Sequence, residues 1–291
     1  MKATQASSTA KVIAASTILL ASDVRTAAQV APGAALLCQK LLSGSRADRW
    51  LASSAAHPWT RALWCWLERH TLPGIMAHYW HRKRWIESRC RQAFAEGFGR
   101  VIVIGAGLDT LGLRLTAEMP QIEVIEIDHP ATQDAKRRAL AGSAIAPPAN
   151  LRFVACDLAA APLPAALFDS DKPTVVIAEG VLMYLSPTEI AKLFLDLHGL
   201  SRVRIRMLFS FMTLWPDGRA GFRPHSQLIE HWLALRHEPF TWALAPEDMP
   251  DFLAGHRFRL VELALTRQFA DHPTAMPSTL EGENLVVCES M

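Results

Sequence analysis

With 291 residues, half of them apolar, the chain can build one large α/β domain, or such a domain with a substantial N-terminal addition. Its formal charge is only +2 and no basic stripe is interleaved with aromatics, so nucleic acid is not an expected partner, although His70–Arg91 is locally basic. Five scattered cysteines (Cys38, Cys65, Cys90, Cys156, Cys288), never spaced C-x-x-C, argue against a disulfide framework or a zinc site and for a reducing cytoplasm.

Val12–Ala21 is an apolar run behind Lys2 and Lys11, but Asp23 and Arg25 interrupt it and no cleavage signal follows, so it is not read as a secretion signal. No other run approaches the roughly 18 apolar residues that span a bilayer, and no membrane partner is expected. Lys11–Arg25 and Ala34–Leu42 read as helices, broken by Pro32-Gly33. Six of the nine tryptophans fall between Trp50 and Trp85, either as packing for added helices or as a lid over an aromatic pocket. His78-Tyr79-Trp80-His81-Arg82-Lys83-Arg84 then precedes a helix running to about Ala95. His78 and His81 share a face but have no third ligand nearby, so no metal is expected. Arg82 could grip a carboxylate with two hydrogen bonds, or Arg82, Lys83 and Arg84 could form a solvated face.

Val101-Ile102-Val103-Ile104 reads as a strand buried on both faces. Gly105-Ala106-Gly107 lets the chain turn sharply and lets a ligand press on backbone N–H groups; Asp109-Thr110 offers the cap of the next helix. Glu123–Ile127 is the next strand, and Asp128 closes it 21 residues beyond Gly107, the spacing of an acid that accepts from a ribose diol. A dinucleotide fingerprint would want glycine where Thr110 stands, and no Gly-Lys-Ser/Thr run supplies a phosphate loop. An adenosyl cofactor without a pyrophosphate, such as S-adenosylmethionine, fits these constraints.

Pro130 opens a helix over Ala131–Leu140, and 141–150 is a loop. Strands at Leu151–Ala155 and Thr174–Ala178 run into Asp157 and Glu179, with a connector and short helix at 162–172 between them. Ser186-Pro187-Thr188-Glu189 is a capping box opening a helix to about Gly199. Arg206–Met212, Phe258–Thr266 and Asn284–Glu289 read as later strands, the last two antiparallel, with Gly282 as a turn. Gly107, Asp128, Asp157 and Glu179 would meet at the carboxyl edge of the sheet, where open α/β folds bind ligands.

The segments IGAGLDT with Arg114-Leu115, EIDHPATQDAKR, CDL at 156–158 and AEGVLMYLSPTEI at 178–190 make the chain resemble the leucine carboxyl methyltransferase family, including bacterial polyketide O-methyltransferase-like members. Weaker matches are RKRWIE at 82–87, FSFM at 209–212, HEPFTWAL at 237–244 and GENLVV at 282–287. Many relatives carry arginine where this chain has Leu111, and the N-terminal third matches poorly. The resemblance implies a Rossmann-like class I methyltransferase fold. It would be α/β, with a mostly parallel sheet, an antiparallel C-terminal strand and an added N-terminal helical region. Residues 1–95 would form a cap shaping the acceptor pocket and 96–291 the core, in one unit. It further implies that Arg82 holds the methionyl carboxylate and that Gly105 and Gly107 form the cofactor turn. Asp128 would bind the ribose, Asp157 and Leu158 would frame the adenine, and Glu179 would lie by the methionyl end. Tyr184 either orients an acceptor or packs in a helix. The expected activity is methyl transfer to a carboxylate or phenolic hydroxyl of a small molecule. The alternatives are a protein C-terminal carboxyl methyltransferase and a non-catalytic binder of S-adenosylmethionine.

Overall fold

Seven strands carry the site: β1 (Arg100–Ile104), β2 (Glu123–Asp128), β3 (Leu151–Ala155), β4 (Thr174–Ala178), β5 (Ile205–Met212), β6 (Phe258–Ala264) and β7 (Glu283–Ser290). They form one sheet in the order β3-β2-β1-β4-β5-β7-β6 in a computed structural model that describes residues 7–164, 167, 170–199, 203–224, 235, 239–269 and 280–291. β1 to β5 pair in parallel, and β7 runs antiparallel between β5 and β6. The apolar runs explain this layout, because side chains alternate between faces along each strand. Val101, Val103, Val124, Val175 and Leu208 enter one core, whereas Ile102, Ile104, Ile125, Val176 and Phe209 enter the other.

Among the described residues five α-helices precede the sheet: α1 (Ser8–Ala21), α2 (Ala34–Leu41), α3 (Arg46–Ala56), α4 (Pro58–Thr71) and α5 (Ile75–Ala95). Four follow among the described residues: α6 (Leu111–Glu118), α7 (Pro130–Gly142), α8 (Pro187–Gly199) and α9 (Met249–Gly255). One apolar cluster runs unbroken from Ile18, Leu19 and Cys38 in the first helices to Val101 and Val175 in the sheet. Among the described residues no helix is long and apolar enough to cross a membrane.

The boundaries differ from the sequence reading in three instructive places. α1 stops at Ala21 and not Arg25, because the Asp23 carboxylate accepts the Arg25 N–H and the Thr26 hydroxyl donates to the Leu20 carbonyl. The His78–Arg84 stretch does not precede a helix but lies inside α5, which begins after Gly74 adopts a left-handed φ of 87°. β6 ends at Ala264, and Thr266 leaves the ladder so that its hydroxyl can donate to the Glu283 carbonyl. The capping box closes as read: Glu189 accepts the Ser186 N–H at 2.6 Å, and the Ser186 hydroxyl accepts the Glu189 N–H at 3.3 Å. The connector at 162–172, and His237 and Glu238 of the HEPFTWAL segment, fall partly or wholly outside the described residues.

β2 carries a carboxylate into the core. Glu126 shares the face of Val124 and meets Lys136 of α7 at 2.5 Å, both side chains at most 1% exposed. Burial raises the Glu126 pKa, and Lys136 offsets only part of that rise. The pair also depends on Gly112, since a Cβ there would collide with the Glu126 carboxylate. Replacing one partner of a buried pair leaves an uncompensated charge. Lys136→Met is therefore expected to cost about 3–5 kcal/mol in denaturant unfolding at pH 8. The cost should shrink at pH 5 as Glu126 takes up a proton, and Glu126→Gln in the same chain should recover part of it.

Candidate active site

The carboxyl ends of β1 to β4 open into a cavity of about 1600 Å³. Its wall contains all eight residues singled out from the sequence: Arg82, Gly105, Gly107, Asp128, Asp157, Leu158, Glu179 and Tyr184. The first turn does what the glycines permit. Gly105 and Gly107 have φ of 65° and 52°, and a Cβ on Gly107 would sit 3.2 Å from that of Ala10 in α1, while one on Gly105 would strike Val181. Asp109 caps α6 with its carboxylate, accepting the N–H groups of Thr110 and Leu111 at 2.5 and 3.0 Å; the Thr110 side chain makes no cap bond.

Asp128 is held from two sides by backbone. One carboxylate oxygen accepts the Gly107 N–H and the other the His129 N–H, at 2.5 and 2.6 Å. Burial raises its pKa, and these two N–H donors oppose the rise. The carboxylate retains acceptor capacity toward the cavity, since each oxygen can accept more than once. Asp157 is looser: its side chain is 44% exposed, accepts the Ala159 N–H and stands 3.8 Å from His129 Nε2.

Glu179 is the next acid along this edge of the cavity. No cation stands beside it in the chain, yet α5 delivers two: Arg82 Nε at 2.8 Å and Lys83 Nζ at 3.2 Å. The Arg82 guanidinium is buried and already paired, so Arg82 does not belong to a solvated face. Its Nη1 donates to both oxygens of Glu283 in β7 at 2.8 Å, and Tyr79 lies under the fork at 5.0 Å. His78, one helical turn earlier, meets the same Glu283 through Nε2 at 2.6 Å, so it serves a carboxylate. Burial alone would lower the Arg82 pKa, but Glu283 and Glu179 reverse that and raise it. Burial would likewise raise Glu283, and Arg82 with His78 instead hold it down at about 2. Lys83 bridges onward to Asp109 at 2.8 Å, which keeps that carboxyl well below its usual range against the opposing effect of burial.

At the sheet edge of the cavity four carboxylates, Asp109, Asp128, Glu179 and Glu283, stand against two cations, Arg82 and Lys83. Such an excess favours a cationic ligand. Sequence reasoning missed Glu283 and the roles of Lys83, Asp109 and His78. Glu283 lies 201 residues from Arg82, and its only signal was its place in the GENLVV segment. Tyr184 sits in a 3₁₀ turn, Leu182–Tyr184, not in an α-helix, with its ring 5.8 Å from Phe240. The tryptophans divide: Trp64 and Trp80 line the cavity, whereas Trp59 and Trp66 are exposed.

The model of the leucine carboxyl methyltransferase family matches residues 28–198, more than half of the chain and well into the N-terminal third that its motifs match poorly. A Mycolicibacterium smegmatis protein, provisionally named an S-adenosyl-L-methionine-dependent methyltransferase, is 31% identical over 215 residues, 70% of this chain and 68% of its own length. A Mycobacterium sp. (strain JLS) protein with a like name is 30% identical over 200 residues, 67% of this chain and 66% of its own. The chain thus spans about two thirds of the length of these curated relatives. Among solved structures, a Thermobifida fusca protein provisionally named a methyltransferase shares the fold at TM-score 0.54 and 20% identity, over 87% of this chain and 93% of that one. The chain belongs to the leucine carboxyl methyltransferase family of S-adenosylmethionine-dependent enzymes and has their Rossmann-like class I fold. The site fits that cofactor: side-chain-free turns at Gly105 and Gly107, a buried carboxylate facing the cavity, and an acidic balance suited to a sulfonium.

The charge network has a pH signature. Because Glu283 titrates lower in the folded chain, its stabilisation is fully present above the ordinary value of 4.5 and is lost as pH falls toward about 2. Glu283→Gln should therefore be less stable than the parent at pH 7, with the gap narrowing steadily between pH 4.5 and 2 in denaturant titrations.

Proposed function

We propose that this chain transfers a methyl group from S-adenosylmethionine to a carboxylate or phenolic hydroxyl oxygen of a small molecule. The observation that carries this reading is the size and lining of the cavity. At about 1600 Å³ it exceeds the roughly 300–1,000 Å³ typical of a single ligand, leaving room for an acceptor beside the cofactor. Beyond the charged edge its wall is aromatic and apolar, with Trp64, Tyr79, Trp80, Tyr184, Phe222 and Phe240. An aromatic wall of this kind suits a small, ring-bearing acceptor.

Asp128 would accept from the ribose hydroxyls, with Gly105 and Gly107 letting the cofactor lie against backbone. Asp157 and Leu158 would frame the adenine. Arg82, whose Nε and Nη1 are committed to Glu179 and Glu283, would meet the methionyl carboxylate through Nη2. Glu179 would lie by the methionyl end, where its negative charge suits the amino group. When bound, the donor supplies a methyl group already activated on sulfur. The residues then need only align the acceptor oxygen and exclude water, which the aromatic wall does. A carboxylate acceptor is ionised at neutral pH and needs no base; a phenol, with an ordinary pKa of about 10, gains from one. Tyr184 is the residue whose hydroxyl would orient the acceptor.

Two measurements test this. Asp128→Ala should weaken S-adenosylhomocysteine binding by about 1–3 kcal/mol in calorimetry, the cost of an unmet buried hydrogen bond; unchanged affinity in a folded variant would remove its assigned role. With isotopically labelled donor and a fractionated extract, label should enter low-mass, solvent-extractable compounds. Label confined to intact protein would favour C-terminal carboxyl methylation, and donor binding without transfer to any fraction would favour a non-catalytic binder.

A further inference from the structure

The helices that wall the cavity carry a second feature on their outer side. On α4, Trp59, Leu63 and Trp66 recur at the i, i+4, i+7 spacing that gathers side chains into one helical stripe. They are 85%, 55% and 54% exposed, and none of them lines the cavity. Tryptophan is costly to leave in water, and two on one exposed stripe form an apolar face with no partner among the described residues.

The exposed charges on the same two helices bear on what covers it. Arg46 and Arg49 of α3 and Arg69 of α4 are exposed. The two carboxylates in α3 and α4 are turned away: Asp48 binds Lys11 at 2.7 Å with its side chain 13% exposed, and Glu68 accepts the Met76 N–H at 3.0 Å. The outer surface of α3 and α4 therefore presents indole, leucine and guanidinium with no exposed acid. Indole and arginine together suit the boundary of an anionic bilayer, where rings sink to the headgroup level and guanidinium groups pair with phosphate. A protein partner or second copy would need acidic groups to answer the arginines, and this face offers a second copy none.

We propose that α3 and α4 dock this protein on an anionic lipid surface, with Trp59, Leu63 and Trp66 inserted at the headgroup level and Arg46, Arg49 and Arg69 on the phosphates. This departs from the expectation of no membrane partner, which rested on the lack of a spanning segment and does not bear on peripheral docking. Trp50, which lines the cavity and is still 65% exposed, belongs to the same helix pair. Docking through that pair brings the adjoining cavity wall close to the lipid.

The test is co-sedimentation of the full chain with vesicles of equal parts phosphatidylglycerol and phosphatidylcholine, against pure phosphatidylcholine, at low and at physiological salt. The parent should bind the anionic vesicles, more weakly as salt rises, with a blue shift of tryptophan emission. Trp59→Ser with Trp66→Ser should bind about tenfold more weakly or worse, with S-adenosylhomocysteine affinity and thermal midpoint unchanged. Arg46→Glu with Arg69→Glu should abolish the preference for anionic lipid. Absence of parent binding, or a double tryptophan variant that binds as the parent does, would overturn the proposal. So would sedimentation velocity showing a parent dimer that the tryptophan variant dissolves, because a second copy would then be the cover.

Discussion

The site depends on one guanidinium held between two carboxylates. Arg82 reaches from α5 to Glu179 after β4 and to Glu283 at the start of β7, joining three segments that share no local sequence. All three side chains are at most 9% exposed, so none can turn to water for an alternative partner. Removing the cation would strand two buried negative charges, which is why such a residue is fixed by more than its own hydrogen bonds. Gly180 lies beside the fork, where a Cβ would rest in ordinary contact 3.5 Å from Nη1; its left-handed φ of 64° is what favours glycine, and its N–H donates to the Ser210 hydroxyl at 2.8 Å.

The cavity has two halves of different character. Toward the sheet it is ionic, with carboxylates outnumbering cations and backbone N–H groups pinning Asp128. Away from that edge Trp64, Tyr79 and Trp80 of the first five helices, with Tyr184, Phe222 and Phe240, give it an aromatic stretch. A charged centre placed at the junction would be balanced on one side and kept dry on the other, and low-dielectric walls strengthen the electrostatic side. The division follows from topology: strand ends supply the carboxylates, while the added helices supply the cations Arg82 and Lys83 and the large rings of Trp64, Tyr79 and Trp80.

What was legible in the sequence was whatever repeats locally. Continuous β-branched runs gave the central strands, and the spacing from Gly107 to Asp128 gave the edge of the cavity. The capping box gave the start of α8. What was not legible was pairing at long range. Glu179 has no cation beside it in sequence because Arg82 and Lys83 lie almost a hundred positions earlier, and Glu283 falls between the Gly282 turn and the strand read from Asn284, though it is the first residue of β7. The start of α5 was misplaced because the basic and aromatic residues of 78–84 lack a clean apolar stripe; they face other ion-pairing groups as well as the core. The tryptophans could not be sorted into inward and outward sets from composition, since that depends on how α3 and α4 pack, and only their helical phase decides it.

The placement of β7 has an effect on how the molecule comes together. It is the last of the seven strands to be synthesised, yet it occupies an interior slot, with β5 on one side and β6 on the other. Until it docks, β5 keeps an open edge and β6 has no neighbour, so a nascent chain presents two unsatisfied ladders to chaperones or to other chains. The same strand brings Glu283 to Arg82, so closing the sheet and neutralising the buried fork are a single event. Ligand-binding competence and completion of the sheet should thus arise together.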